Sequence, residues 1–465
     1  MSELTKDRMT GTDELKRDLG PWSAASIVVG TVIGSGIFIV PNIMIQRLGS
    51  PDWVFFVWVF GGLLSLSGAL TYAELSAALP GAGGEYVYLR RAYSPVFSFV
   101  YGWTQMWVAK SGSCATLASG FFLYFSNFRP ETTKVLFSIP FVGNGGAPQP
   151  VTLGQIYGMG LIMGLGLLNF FGVKLGGQVQ VAVTISKVVL IGGVIAFGLA
   201  SPHSATANLT TSTGTTAGLA GFFAALVAAL WAYDGWNNVG MVASEIKDPQ
   251  RNLPRALIWG TLGVMAIYLL ANAAYFLVLN ADEVAGNRLV AAEMMRKAGG
   301  QWGAGIVSVA AMVSMFAALN GSILSGSRVP YAMARDGLFF PSVSKVHPRY
   351  RTPSTAILAL SAWSSILVLS GRYDQLVTLV IFPSWILYGM TTAAVIVLRR
   401  REPDLPRPYR TLGYPVVPVL FVLVALALLV STLLDAPRES ALGLIVIAAG
   451  LPFYVYWNRR SKLDG

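Results

Sequence analysis

Residues 30–41 read Gly30-Thr31-Val32-Ile33-Gly34-Ser35-Gly36-Ile37-Phe38-Ile39-Val40-Pro41, and the fold turns on how this stretch is understood. It sits inside an apolar run covering 22–46, long enough to cross the hydrocarbon of a bilayer, which takes about 20 residues. Yet its middle holds two glycines around a serine, and a proline follows about a turn later. Together they weaken a helix at several points. One reading is a small-residue patch against which another helix packs. The other is a span that unwinds at its midpoint and exposes backbone N–H and C=O groups there. The rest of the chain favours the second.

Of 465 residues, 54% are hydrophobic and 12% charged, where a soluble domain carries about a quarter charged. Apolar runs recur throughout, which excludes disorder, coiled coil and fibre. The sequence predicts an all-α polytopic membrane protein with twelve spans: 22–46, 53–79, 96–126, 151–170, 179–200, 216–245, 254–279, 303–333, 354–370, 375–398, 414–434 and 441–457. The N-terminus, with Lys6, Arg8, Lys16 and Arg17 among acids, is polar and is not a cleavable signal. With the N-terminus inside, the loops on that side hold 22 Lys and Arg, counting Arg255 at the edge of the seventh span, against 8 on the other, and Lys110, Lys187 and Arg328 fall deeper within spans. The positive-inside rule therefore places both termini in the cytoplasm. The net charge of +11 is a topology signal and not a nucleic-acid footprint. Cys114 is the single cysteine, so no intrachain disulfide can form.

A second interruption stands in the sixth span, Trp231-Ala232-Tyr233-Asp234-Gly235-Trp236-Asn237-Asn238. An acid beside a glycine deep in an apolar run is costly unless it faces water or a partner. It is either a buried Asp paired for packing or a second break. The breaks fall five spans apart, and five is odd, so a duplicated five-helix unit would re-enter the membrane inverted. Interrupted helices at matching places in two inverted halves point to a midplane transport site. Unwinding leaves N–H groups at one half-helix start, suited to a carboxylate, and C=O groups at the other half-helix end, suited to an ammonium. A zwitterion with both groups on one carbon is the natural ligand.

At these residues the chain resembles the L-type amino-acid transporter branch of the amino acid–polyamine–organocation (APC) superfamily. The carrying motifs are Gly34-Ser35-Gly36-Ile37-Phe38, Tyr233-Asp234-Gly235-Trp236-Asn237 and Asp248-Pro249-Gln250-Arg251-Asn252-Leu253-Pro254. Ser327-Arg328, Tyr331 through Gly337, and Arg401-Glu402-Pro403 with Arg407-Pro408-Tyr409 extend the likeness over nearly the whole chain. The resemblance implies the LeuT-like APC fold: a 5+5 inverted repeat with discontinuous helices 1 and 6, plus two peripheral helices. Segments follow as a cytoplasmic N-terminal piece 1–21, a first repeat 22–200, a second inverted repeat 216–398, peripheral helices 414–457 and a cytoplasmic tail 458–465.

The same resemblance implies where a ligand would sit. A substrate carboxylate meets the backbone of Gly34, Ser35 and Gly36, with Ile37 next to it. The amine meets carbonyls around Val32, Ile33, Trp231, Ala232 and Asp234, with Tyr233 among them. Trp231 closes over the substrate from outside, and Asn237 joins a polar network below the break. Ser113, Phe382, Ser384 and Trp385 border the side-chain pocket. Lys187 occupies the place where sodium-coupled relatives hold a sodium ion, which implies sodium-independent transport, with the lysine as strut and coupler or as a proton-handling group. A basic residue at Lys110 belongs to the family pattern; it is either functional or a structural cation paired with a carbonyl or acid. Glu74 and Glu85 read as interfacial and solvated, and Arg328 as snorkelling to the cytoplasm.

Departures from the family narrow the picture. The loop 126–150 has no cysteine, so no disulfide-linked heavy chain is expected, and the chain reads as a stand-alone monomer of a prokaryotic inner membrane. Asp234 stands where large-neutral-amino-acid members carry glycine and resembles members that also accept cationic substrates. The function implied is a sodium-independent L-amino-acid exchanger, with proton-coupled symport as the alternative. No cofactor and no metal are expected. An enzyme would need a nucleophile–base pair or metal ligands inside the spans, whereas His203 and His347 fall in loops on opposite sides. A passive channel would not need two breaks shaped for a zwitterion.

Overall fold

The computed structural model describes residues 15–140, 148–370, 373–435 and 437–463. Lys6, Arg8, and parts of the 1–21 segment, the 126–150 loop and the 458–465 tail lie outside the described residues. The first apolar run is divided into α1 (Pro21–Val32) and α2 (Gly36–Leu48). The second span is α3 (Pro51–Ala78), followed by a short α4 (Glu85–Ala92). The third is α5 (Pro95–Thr104) and α6 (Lys110–Phe125). Prolines at the first helical positions start α1, α3 and α5, where a missing N–H costs nothing and the fixed φ is already helical.

The third span differs from the continuous helix expected at 96–126. Residues Gln105–Ala109 form a π turn, and the Ser111 hydroxyl donates to the Met106 carbonyl five residues back. Such bulges displace the following side chains around the helix axis, and the next residue here is Lys110. The loop 126–150 also contains a hairpin, β1 (Val135–Ile139) antiparallel to β2 (Gln149–Thr152).

Thr152 opens α7 (Leu153–Phe170) with a capping box to Gln155. There follow α8 (Val173–Leu199), α9 (Leu219–Ala232) and the single turn α10 (Asn238–Met241). The seventh span is α11 (Pro249–Val278), and α12 (Ala281–Gly286) is a short capped turn after it. The eighth is α13 (Val290–Gly326), which continues after Ser327 into α14 (Arg328–Arg335). Then come α15 (Ser354–Ser370), α16 (Tyr373–Arg401), α17 (Val416–Asp435) and α18 (Pro437–Leu463). Nine of the described helical stretches are long and apolar enough to cross a membrane. Two shorter apolar helices, Leu219–Ala232 and Ser354–Leu369, and the α5–α6 path fall on the remaining predicted spans.

The arrangement is that of an all-α polytopic bundle. α1 packs against α8, α11 and α13, and α2 against α9, so both interrupted spans lie at the centre. α17 packs on α16 and α3, and α18 on α16 and α5. Their outward faces expose Val416, Leu420, Leu423, Val430, Leu444 and Ile445, a surface suited to lipid and not to water.

Three charged residues depart from expectation. Glu74 and Glu85 are not solvated at an interface but are 2% and 0% exposed. Arg399 and Arg407 hold the Glu74 carboxylate at 2.6 and 3.3 Å, and the Thr411 N–H donates to it at 2.7 Å. Arg328 does not snorkel. Its guanidinium is buried and bidentate on Glu245 at 2.7 and 2.8 Å, and it also donates to the Leu324 carbonyl at 2.6 Å. Composition cannot show that loops fold back over helix ends; here that return gives Glu74 and Arg328 partners of opposite charge, without which burial would be prohibitive.

These contacts gather at the end of the bundle that carries the N-terminal segment, where Leu19 bridges Ile246 in parallel and Arg91 pairs with Glu402.

Candidate functional site

α1 stops because Ile33 leaves the helical region at φ −73°, ψ 89°, and α2 restarts at Gly36. A helix end leaves its last carbonyls, and a helix start its first N–H groups, without intrahelical partners. α9 stops at Ala232 and α10 begins at Asn238. Between them Gly235 takes φ +114°, and a Cβ there would stand 3.1 Å from the Thr31 backbone. The Thr31 hydroxyl donates to the Gly235 carbonyl at 2.8 Å. Gly36 lies so close to the other span that a Cβ would be 2.6 Å from the Ala232 Cα. The two breaks therefore interlock across the bundle centre.

A small cavity lies where they meet. Val32, Gly34, Ser35 and Gly36 line it from the first break, Trp231, Ala232 and Asp234 from the second, and Ser113 from α6. Thr31, Lys110, Leu117, Gly235, Asn238 and Ser322 complete the wall.

The other sequence-selected residues stand back from it. Ile33 and Ile37 are fully buried. The Tyr233 hydroxyl donates to the Trp58 carbonyl at 3.1 Å, its ring edge-on to Trp58. The tenth-span trio is not brought to the wall: Trp385 stacks on Phe421 of α17, Phe382 lies near Gly443 of α18, and the Ser384 hydroxyl donates within its own helix to Val380 at 2.8 Å. Tyr388, one turn beyond, reaches the site from α16, donating to Asp234 Oδ1 at 2.6 Å.

Carbonyls at the breaks already carry protein donors. The buried Lys187 ammonium, on α8, donates to Gly30 at 2.7 Å and Ile33 at 2.5 Å, with Ser314 at 3.5 Å. The Ser314 hydroxyl also donates to Ile33 at 2.8 Å. A carbonyl oxygen has two lone pairs, so Ile33 is fully engaged. The Tyr268 hydroxyl lies 3.0 Å from the Val32 oxygen and 2.8 Å from the Ala232 oxygen; each keeps a second lone pair. Three oxygens around one ammonium make a cage of the kind a bare cation would occupy. Among the described residues no cluster of His, Cys, Asp or Glu could hold a metal ion.

Below the cavity, toward the chain-end face, lies a polar layer. Lys110 Nζ donates to Asn238 Oδ1 at 2.6 Å, so its partner is a side-chain amide and not an acid. Asn237 Nδ2 donates to Glu85 Oε1. Sequence reasoning placed Asn237 in such a network but missed Tyr268, Ser314, Tyr388 and Glu85. A tyrosine or serine inside an apolar run gives no signal of what it faces; only Glu85, an acid two residues after a glycine pair's start, was visible as a charge.

A family model described as "Amino acid permease" matches residues 19–450. The serine/threonine exchanger SteT of Bacillus subtilis is 34% identical over 458 residues, 97% of this chain and 99% of the relative. The human b(0,+)-type amino acid transporter 1 is 31% identical over 449 residues, 95% of this chain and 88% of the relative. The human cystine/glutamate transporter is 28% identical over 454 residues, 97% and 87% respectively.

Proposed function

The chain belongs to the amino acid permease family, in the L-type branch of the APC superfamily, and from that premise we propose that it is a sodium-independent exchanger of L-amino acids. The family and the relatives are transporters, not enzymes. The observation that carries the reading is the meeting of two interrupted helices around a small cavity whose neighbouring carbonyl cage is filled by a lysine ammonium.

In this reading the substrate carboxylate is held by the N–H groups at the start of α2, at Gly34, Ser35 and Gly36. Its ammonium meets Asp234 and the remaining lone pairs of Val32 and Ala232. Trp231 covers the ligand, Ser113 faces its side chain, and Lys187 replaces a coupling sodium ion. The two five-helix halves, 22–200 and 216–398, then alternate access. The relative named a serine/threonine exchanger supports serine and threonine as first substrates, and Asp234 supports cationic ones in addition. A monomer in the cell membrane of a prokaryote, both termini cytoplasmic, completes the proposal.

The alternative is proton-coupled uptake, favoured by the carboxyl of Asp234 at the cavity wall. Proteoliposomes loaded with labelled serine separate the two. Exchange requires unlabelled serine outside for rapid efflux, in sodium-free buffer, with no accumulation on a pH jump. Efflux into substrate-free buffer at the same rate would overturn the exchanger reading, and accumulation driven by the pH step would favour symport.

A further inference from the structure

Glu85 stands apart from every other buried carboxylate at the chain-end face. Glu74 and Glu245 each lie on arginine. Among the described residues no cation is within ion-pair distance of Glu85, although it is wholly buried. Its Oε1 accepts from Asn237 Nδ2, while its Oε2 has no partner, and neither has Asn237 Oδ1.

The groups around it do not supply a counter-charge. Tyr72 of α3, Tyr88 of α4, Tyr101 of α5 and Tyr388 of α16 surround it as neutral phenols. The Tyr101 hydroxyl lies against the carboxyl as a neutral neighbour, and the Tyr88 hydroxyl has no hydrogen-bond partner. Lys110, on α6, is the cation whose charge reaches the carboxyl, but its ammonium lies on Asn238 and not within ion-pair distance of Glu85. Arg328 of α14 is bound to Glu245, Arg335 of α14 to the Tyr331 hydroxyl, and Arg399 of α16 to Glu74. Asp234, the other acid near the layer, repels a second negative charge.

A lone carboxylate in such a place is expensive; a carboxylic acid is not. A proton on Oε2 turns the pair into a two-hydrogen-bond ring, with the amide N–H on the acid carbonyl and the acid O–H on the amide carbonyl. The two atoms that have no partner are the two that this second bond would join. We propose that Glu85 carries a proton in the closed state and that the acid–amide pair it makes with Asn237 is a latch tying α4 to the second break.

When the chain-end face opens and water reaches the pair, the carboxylate is solvated, the O–H proton leaves to water on that face, and the latch parts. On closing, the proton returns from the same side. The proton thus gates exchange and is not carried across. Burial, opposed by the Asn237 amide, raises the Glu85 carboxyl above the usual carboxylate range. The closed state therefore binds one proton more than the open state between the ordinary carboxylate pKa and the raised one. In that window the closed-to-open ratio falls up to about tenfold per pH unit as pH rises. Below the window both states are protonated and the ratio is flat.

The latch rests on the transport reading only for its kinetic assay. Labelled serine exchange is measured in proteoliposomes with the pH of the two compartments set separately, and infrared spectra of the purified protein are recorded in H2O and D2O. The expected result is a wild-type rate that climbs with pH on the chain-end face alone, while Glu85→Gln is flat and slow, because its amide keeps both bonds at every pH. The infrared spectrum should show a protonated-carboxyl band at neutral pH that Glu85→Gln removes.

A wild-type pH profile in Glu85→Gln, or a spectrum in which that substitution removes no carboxyl band, would overturn the latch. So would serine accumulation driven by a pH gradient, since the proton would then be crossing. If Glu85→Gln does not fold, Glu85→Asp serves: it keeps the carboxyl, and its pH midpoint must move. If wild type exchanges nothing, the transport reading fails and the infrared result alone decides for or against the protonated pair.

Discussion

Replacing Glu245 by glutamine tests how the chain-end face is held together. Arg328 is 1% and Glu245 0% exposed, and the guanidinium makes two bonds to the carboxylate at 2.7 and 2.8 Å, one to Leu324 and one to the Ser327 hydroxyl. Glu245→Gln keeps the shape and removes the negative charge, so the guanidinium stays buried without compensation. Breaking a buried pair from one side costs about 3–5 kcal/mol, whereas replacing both partners by apolar groups of similar volume is often neutral or stabilising. We therefore expect Glu245→Gln to lower unfolding stability by about 3–5 kcal/mol, and the double variant Glu245→Met, Arg328→Met to recover most of that loss. Denaturation in detergent micelles, followed by tryptophan fluorescence, measures both. Because the pair ties α14 to the segment after α10, the double variant should fold and yet exchange serine with altered rate. A single variant within about 1 kcal/mol of wild type, well below the range above, would refute the reasoning. So would a double variant no more stable than the single.

Lys187→Ala withdraws the ammonium from the Gly30 and Ile33 oxygens; hydrogen bonds to charged groups contribute about 1.5–3 kcal/mol each. Serine exchange should fall at least tenfold, roughly the equivalent of one such bond, with folded yield retained, and unchanged kinetics would remove the lysine from the mechanism. Asp234→Gly removes the acid at the cavity wall; in a competition panel of Ala, Leu, Lys and Arg, the two cationic amino acids should lose inhibition selectively, and an unaltered panel would return Asp234 to a structural role. Gly36→Ala puts a methyl group 2.6 Å from the Ala232 Cα, which must move backbone at a cost of about 1–3 kcal/mol; substrate should no longer raise the melting temperature, and a normal substrate-induced shift would show that the breaks need not touch.

The architecture was readable in the sequence because lipid makes apolar length an almost direct measure of a span. The breaks were readable because glycine, proline and an acid are conspicuous there, as Gly34, Gly36 and Asp234 show. What failed to show was which way residues face. Phe382 and Trp385 lie on a helix that borders the site, but a turn of helix is 3.6 residues, and α17 and α18 claim their faces while Tyr388 takes the inward one. The hidden carboxylates failed for another reason. Glu74 and Glu85 lie at the ends of apolar runs, where solvation is the ordinary expectation; only folding brings Arg399 and Arg407 over the first and Asn237 against the second.

The charge on the cavity wall carries the substrate argument one step further. Of the described residues lining it, Asp234 and Lys110 are the only charged ones. Each is engaged by a neutral side chain, Tyr388 and Asn238, and not by the other. The wall is thus neutral overall but divided, with the acid on the sixth span and the base on the third. A zwitterion needs no change in that total: in the proposed reading its ammonium would face Asp234 and the carbonyl ends, and its carboxylate the start of α2. A cationic side chain adds a charge, and it must then lie away from Lys110 or near the one acid, which the α-ammonium already uses. Breadth toward Lys and Arg thus depends on Asp234 serving two ammonium groups at once, and longer side chains should compete better than short cationic ones for that geometric reason.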